Sequence, residues 1–265
     1  MAEQKHIALV TGSTDGVGRY VARELGKQGF HVLIHGRDEK RAGALLAEIA
    51  KAGGSGQVHC ADLASLDAVR ALADTILREQ PRLDLLINNA GIGTTGGRRT
   101  SADGHELTFA VNYLAGFLLA LLKCSAPARI VHVASLGQQA IDFDDVMLTH
   151  GYSGMRAYCQ SKLAQIMFTF DLARELDGTG VVATCLHPAT YMDTTMVRQA
   201  GVGPLSTVAE GGAAILNLAT GAELAGKTGL YYDGLRPARA NPQAYDEKAR
   251  VRLRALSLKL VGLPG

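Results

Sequence analysis

The chain has 265 residues, 47% of them hydrophobic, and its 27 basic and 25 acidic side chains leave a formal charge of +2. So even a balance gives no electrostatic case for nucleic acid or an anionic membrane as partner. The four cysteines, Cys60, Cys124, Cys159 and Cys185, lack metal or redox spacing, so no metal site is expected. Reduced thiols, and a start that runs straight into a strand with no signal peptide, lead to the expectation of a cytoplasmic chain. The longest apolar stretch, Leu114 to Leu122, is too short to span a bilayer.

Strands are expected near His6–Thr11, His31–His35, Gln57–Cys60, Asp84–Ile87, Arg129–Ala134, Val181–Leu186 and Gly229–Tyr232. Helices are expected near Val17–Gln28, Glu39–Ala52, Ser65–Glu79, Ala102–Leu122, Met155–Asp177, Thr207–Thr220 and Pro242–Val261, the last with Asn241 as N-cap. Continuous apolar strands alternating with helices argue for a parallel sheet covered on both faces. No repeat or linker interrupts the pattern, so a single domain is expected.

Between the first strand and first helix stand Gly12, Gly16 and Gly18, spaced G-x3-G-x-G. Residues without a Cβ let backbone N–H groups and a helix N-terminus approach a pyrophosphate, although a plain strand-helix turn also uses glycine. At the end of the second strand Gly36 is followed by Arg37 and Asp38. An acid at that tip would select NAD, whereas an arginine beside it favours the 2′-phosphate of NADP. Asp38 is read as the cap of the next helix; the competing reading of Arg37 is a solvated surface side chain. Asp62 can meet an adenine amino group or cap a helix, and Asn88-Asn89-Ala90-Gly91 can pass close to a ribose or form a simple turn.

Tyr158 and Lys162 are four residues apart on an expected helix, so they share a face. Lowering a tyrosine from about 10 to near 7 takes about 4 kcal/mol. A cation about 4 Å away at an effective dielectric near 20 supplies that much.

In this order the residues resemble the short-chain dehydrogenases/reductases over nearly the whole chain. The matching elements are Thr11-Gly12-x3-Gly16-x-Gly18, Asp62, Asn88-Asn89-Ala90-Gly91, Asn112, Ser135, Tyr158-x3-Lys162 and His187-Pro188. The stretches Phe109-Ala110-Val111-Asn112, Ser125 to Val131, Phe143-Asp144-Asp145 and Ala157 to Ala164 are most similar to the retinol-dehydrogenase-like branch. The resemblance implies an α/β, Rossmann-type doubly wound parallel sheet of about seven strands with helices on both faces. It implies catalytic roles for four residues. Tyr158 would exchange the proton, Lys162 would lower its pKa and hold the nicotinamide ribose, and Ser135 would bond the substrate oxygen. Asn112 would hold a kinked helix and a water leading to Lys162. The implied cofactor contacts are Gly12, Ser13, Thr14, Asp15, Gly16, Val17, Gly18, Arg37, Asp62, Leu63, Asn89, Ala90, Gly91, Tyr158, Lys162, Pro188, Thr190 and Thr194.

The chain departs from the family pattern in several places. Pro188-Ala189 stands where Pro-Gly is usual, Ala134-Ser135 where two serines are usual, and the segment from Asn112 to Ile130 is about five residues shorter. The last departure weakens any inference of a homodimer or homotetramer. Retinoid specificity is not implied, because the membrane anchor common in animal retinol dehydrogenases is not seen.

The expected activity is NADP(H)-dependent hydride transfer between nicotinamide and a small-molecule carbonyl or alcohol, with NAD(H) the less favoured cofactor. The alternative is a catalytically silent NADP-binding sensor or partner protein on the same fold. A lid from 190 to 205, with Tyr191, Met192, Met196 and Val197 and no charged anchor except Arg198, points to a neutral hydrophobic carbonyl compound.

Overall fold

The computed structural model describes residues 5–121 and 125–264. Cys124 and the expected helix end at Leu122 lie outside them. The elements are β1 (Ile7–Val10), α1 (Gly16–Lys27), β2 (His31–Gly36), α2 (Glu39–Lys51), β3 (Ser55–Cys60), α3 (Leu66–Glu79), β4 (Leu85–Asn88), α4 (Leu107–Phe109), α5 (Ala115–Ala120), β5 (Ala128–Val133), α6 (Gly154–Glu175), β6 (Val181–His187), α7 (Thr195–Gln199), α8 (Val208–Thr220), β7 (Leu230–Asp233), β8 (Arg236–Pro237) and α9 (Glu247–Leu260). The sheet order is β3-β2-β1-β4-β5-β6-β7-β8, and every pairing is parallel except β7 with β8. β8 is the strand beyond the expected seven. It holds two residues, too few for an alternating pattern to show, and its Pro237 suits only an edge.

The strand order reverses direction between β1 and β4, where an open α/β sheet leaves a crevice at its carboxyl ends. Residues of opposite parity on the central strands feed two cores. Leu9, Leu33 and Leu86 pack with α3, α5 and α6, while Val10, Ile34 and Ile87 pack with α1, α2 and α8. Both faces are therefore dry, as the continuous apolar strands require. β3 is the other edge, and its Ser55-Gly56-Gln57 start is correspondingly polar.

Two expected helices differ. The helix expected from Ala102 starts at Leu107, because the buried Glu106 carboxylate accepts the N–H groups of Thr108 (3.0 Å) and Phe109 (2.6 Å) as a cap. A π-helical segment, Ala110–Leu114, then joins α4 to α5. The helix expected over Pro242–Val261 is two pieces. Asn241 caps a 3₁₀ turn over Pro242–Tyr245, and Asp246 separately caps α9.

α9 lies across α5 and α6. The Tyr113 hydroxyl meets Ser257 Oγ at 2.7 Å, Arg250 pairs with Asp171 at 2.8 Å, and Arg254 stacks over Phe117. Leu163, Ile166 and Met167 of α6 are fully buried inside this one chain, and Phe170 packs half-buried against the same core.

Candidate active site

The glycine turn is built around Thr11. Its hydroxyl accepts the N–H groups of Asn89 and Ala90, both at 3.0 Å, and Asn89 Nδ2 returns a bond to the Thr11 carbonyl at 2.9 Å. The tips of β1 and β4 are thereby locked together. Gly12 has φ +63°, and a Cβ there would stand 2.8 Å from the Ala90 Cα. A Cβ on Gly18 would stand 2.4 Å from the Gly12 carbonyl oxygen. Glycine is required at both positions by contact, not by composition. α1 begins at Gly16, and Asp15 Oδ1 accepts the Gly16 N–H at 2.8 Å. The following N–H groups of a first helical turn have no intrahelical acceptor, so they can meet a phosphate. Ser13 is tied to His35 through both its hydroxyl and its main-chain N–H, whereas Val17 puts its side chain in the core and its N–H in the first helical turn.

At the tip of β2, a Cβ on Gly36 would fall 2.4 Å from Thr14 Cγ2. Arg37 is exposed and has no ion pair among the described residues. Asp38 caps α2 by accepting the Arg41 N–H, as expected. Asp15 pairs with Arg41 at 3.2 Å. Burial pushes its carboxyl up, but hydrogen bonds from Thr195, Gly16 and Arg41 leave it below its ordinary value. Asp62 closes a turn by accepting the Ala64 N–H at 3.0 Å, and Ser65 caps α3 instead. Leu63 puts its side chain in the core, so only its main chain is free for a nucleotide.

Ser135 follows β5, Tyr158 and Lys162 lie on α6, and Asn112 lies in the π-helical segment. Ser135 Oγ accepts the Gly137 N–H at 3.0 Å, and its carbonyl accepts from Tyr231 Oη and Gln138 Nε2. Burial pushes the Tyr158 phenol up, and a hydrogen bond with Ser135 pulls the other way. The Lys162 ammonium sits 5.6 Å from the Tyr158 ring centre and is itself lowered to about 7 by burial. In the protein alone, then, Lys162 does not carry Tyr158 below its ordinary value. The expectation of a 4 Å cation assumed a fully charged lysine, and burial removes that premise.

Asn112 ties a loop and a helix together. Its Oδ1 accepts the Ile92 N–H at 2.8 Å, and its Nδ2 donates to the Ile92 carbonyl and to Ser161 Oγ. It thus pins the loop following Gly91 to α6. The widened turn around Asn112 frees that reach.

Pro188 is buried, Thr190 Oγ1 lies 3.0 Å from His187 Nε2, and Thr194 caps α7. The segment 190–205 crosses the mouth of the site. A Cβ on Gly16 would touch Thr194 at 3.2 Å, and one on Gly93 would touch Met196 at 2.9 Å. Met192 turns away to pack on Gly211 of α8, so it is no part of an apolar lid. Arg198 is paired with Asp193 at 2.7 Å.

The sequence reading did not single out Gln165, whose Oε1 accepts from Lys162 Nζ at 3.0 Å, or His35, whose Nδ1 accepts the Gly12 N–H at 3.1 Å. The i, i+3 spacing from Lys162 was the available signal for Gln165. Nothing local marks His35, which reaches Gly12 only through the sheet.

Among the described residues no group of three His, Cys, Asp or Glu could hold a metal, and no helix is long and apolar enough to cross a membrane. The Cβ-free turn at a helix start and the adjoining Tyr158, Lys162 and Ser135 fit a nicotinamide dinucleotide. Comparison with known proteins agrees. The family model described as short chain dehydrogenase matches residues 6–203. The chain is 38% identical to human "Retinol dehydrogenase 13" over 280 residues, covering 96% of this chain and 84% of that protein. It is 37% identical to mouse "Retinol dehydrogenase 14" over 287 residues, covering 96% and 85%. A short chain dehydrogenase from Burkholderia cenocepacia J2315, solved in complex with NADP, superposes with a TM-score of 0.69 at 28% identity, covering 87% of this chain and 96% of that one. The chain therefore belongs to the short-chain dehydrogenase family and to its retinol-dehydrogenase-like branch.

Proposed function

We propose that this oxidoreductase uses NADP(H) to interconvert a neutral, hydrophobic carbonyl compound and its alcohol. The observation that carries the reading is the convergence of Ser135, Tyr158 and a buried Lys162 beside a glycine turn that admits no side chain. When bound, the nicotinamide supplies or accepts the hydride. The Ser135 hydroxyl donates to the substrate oxygen, and Tyr158 Oη gives its proton to the forming alkoxide. In its protonated form Lys162 places a positive charge beside the phenol and has an N–H left for a ribose hydroxyl. An oxidised nicotinamide would add its positive charge to that of Lys162, so Tyr158 would titrate lower with the oxidised cofactor bound than in the protein alone.

NADP(H) is favoured over NAD(H) by the uncommitted Arg37 beside Gly36, a position where an acid would first have to displace Thr14. An apolar substrate is favoured by exposed Leu136, Tyr191, Met196 and Leu205 around the site, and by the neutralisation of Arg198 by Asp193. A silent sensor would need only the nucleotide half and gains no support from the Ser135–Tyr158 hydrogen bond. The test is NADPH consumption over a panel of aldehydes and ketones graded by polarity. Turnover that rises with apolar size supports the reading, and no turnover with any member rejects it.

A further inference from the structure

The Lys162 ammonium has three N–H donors in a dry site. One goes to the Val133 carbonyl at the end of β5, 2.8 Å away, and one to Gln165 Oε1, 3.0 Å away. Both partners are fixed. Val133 is held in the sheet, and Gln165 is 2% exposed on the same helix, one turn beyond Lys162. The Asn112 amide oxygen accepts the Ile92 N–H, and its Nδ2 only donates, to the Ile92 carbonyl and Ser161 Oγ. No carboxylate pairs with the ammonium among the described residues. We propose that Gln165 is the positioning residue of Lys162: its amide oxygen holds the ammonium charged and aims the remaining N–H toward the cofactor side of the site.

The other titratable groups near Lys162 are neutral. His132 of β5 is fully buried and lowered to about 3, and Tyr158 of α6 is raised by burial. The segment Asn88–Gly91 and the π-helical turn bring no charge toward it. The two oxygens are thus the whole favourable environment of the cation. A neutral amide stabilises the ammonium without collapsing it into a salt bridge, and so leaves it able to change partners. The role of this aim in turnover rests on the oxidoreductase reading above; the hold on the charge does not.

The experiment uses the full chain with Gln165→Met and Gln165→Glu, which match glutamine in length. The Lys162 titration is read in the cofactor-free protein from the ¹³Cε shift of labelled lysine, assigned with Lys162→Arg. Methionine removes the acceptor, so the ammonium is disfavoured and the midpoint falls by about one pH unit. Glutamate adds a charge, so the midpoint rises by about one unit or more. The high-pH limb of kcat/KM for NADPH should move with the same signs. Midpoints that stay at the wild-type value, or that move in one direction in both variants, overturn the assignment. Midpoints that move oppositely in a protein without turnover uphold the hold on Lys162 and reject the oxidoreductase reading instead.

Discussion

The imidazole Nδ1 of His35 accepts the backbone N–H of Gly12 at 3.1 Å, while the His35 main chain exchanges hydrogen bonds with Ser13. One residue of β2 therefore sets two residues of the phosphate turn. An acceptor at Nδ1 requires the neutral ring with its proton on Nε2, and burial enforces this by lowering His35 to about 4. His35→Leu should weaken NADPH binding about tenfold, the worth of one buried hydrogen bond. His35→Asn, which places Oδ1 where Nδ1 stood, should keep most of the affinity. Calorimetric titration of both variants checks this, and equal losses would point to packing rather than the hydrogen bond.

Arg37→Ala should cost NADPH binding about 1.5–3 kcal/mol and leave NADH nearly unchanged, because only the former has a 2′-phosphate to pair. Dissociation constants for the two cofactors decide it. Equal losses, or a wild-type preference for NADH, would sink the NADP assignment.

An acid at position 36 should not by itself create an NAD site. Its Cβ would enter the volume of Thr14 Cγ2, so Gly36→Asp is expected to weaken both cofactors. Adding Thr14→Ala opens that space, and NADH binding should recover in the double variant beyond either single one. Independent, additive effects on affinity would show that the two positions do not touch.

Tyr158→Phe removes one hydroxyl and keeps the ring. Turnover should fall 10²–10⁴-fold while nucleotide affinity stays near wild type. Ser135→Ala should also lower turnover, but less, because the proton source survives. Steady-state rates set beside cofactor affinity separate these cases, and a Tyr158→Phe enzyme with near-normal turnover would refute the mechanism.

Two buried histidines make the fold acid-sensitive. His132 is lowered to about 3 and His35 to about 4, both chiefly by burial. Their folded values lie below the unfolded value of about 6.5, so the unfolded chain binds more protons between those limits. Stability is full above about pH 6.5 and is lost as pH falls toward 4. Each histidine should remove about 2 kcal/mol between pH 7 and pH 5. Urea unfolding at the two pH values measures the loss, and His132→Phe should halve it.

The turn around Gly12, the parallel sheet and the Tyr158–Lys162 face were legible because each is written in local spacing. The π-helical turn was not. Phe109-Ala110-Val111-Asn112 reads as ordinary helix, and only the contacts of Asn112 with Ile92 and Ser161 make the extra residue worthwhile. The start at Leu107 was hidden for a related reason: Glu106 caps from a glutamate side chain, outside the usual capping set. Gln165 stands on a long buried helix with nothing but its spacing from Lys162 to set it apart. Its function lies in which atom it meets, and a single sequence does not carry that.

The placement of α9 has a consequence for how the protein is made. Chains are synthesised from the N-terminus, and the residues of α9 emerge after those of the face it covers. Until then Tyr113, Phe117 and Phe168 lack the cover of Ser257, Arg254 and Leu253, and the chain presents a bare aromatic face. During that interval the nascent chain is a substrate for chaperones and a seed for aggregation, although its nucleotide turn is already complete in sequence.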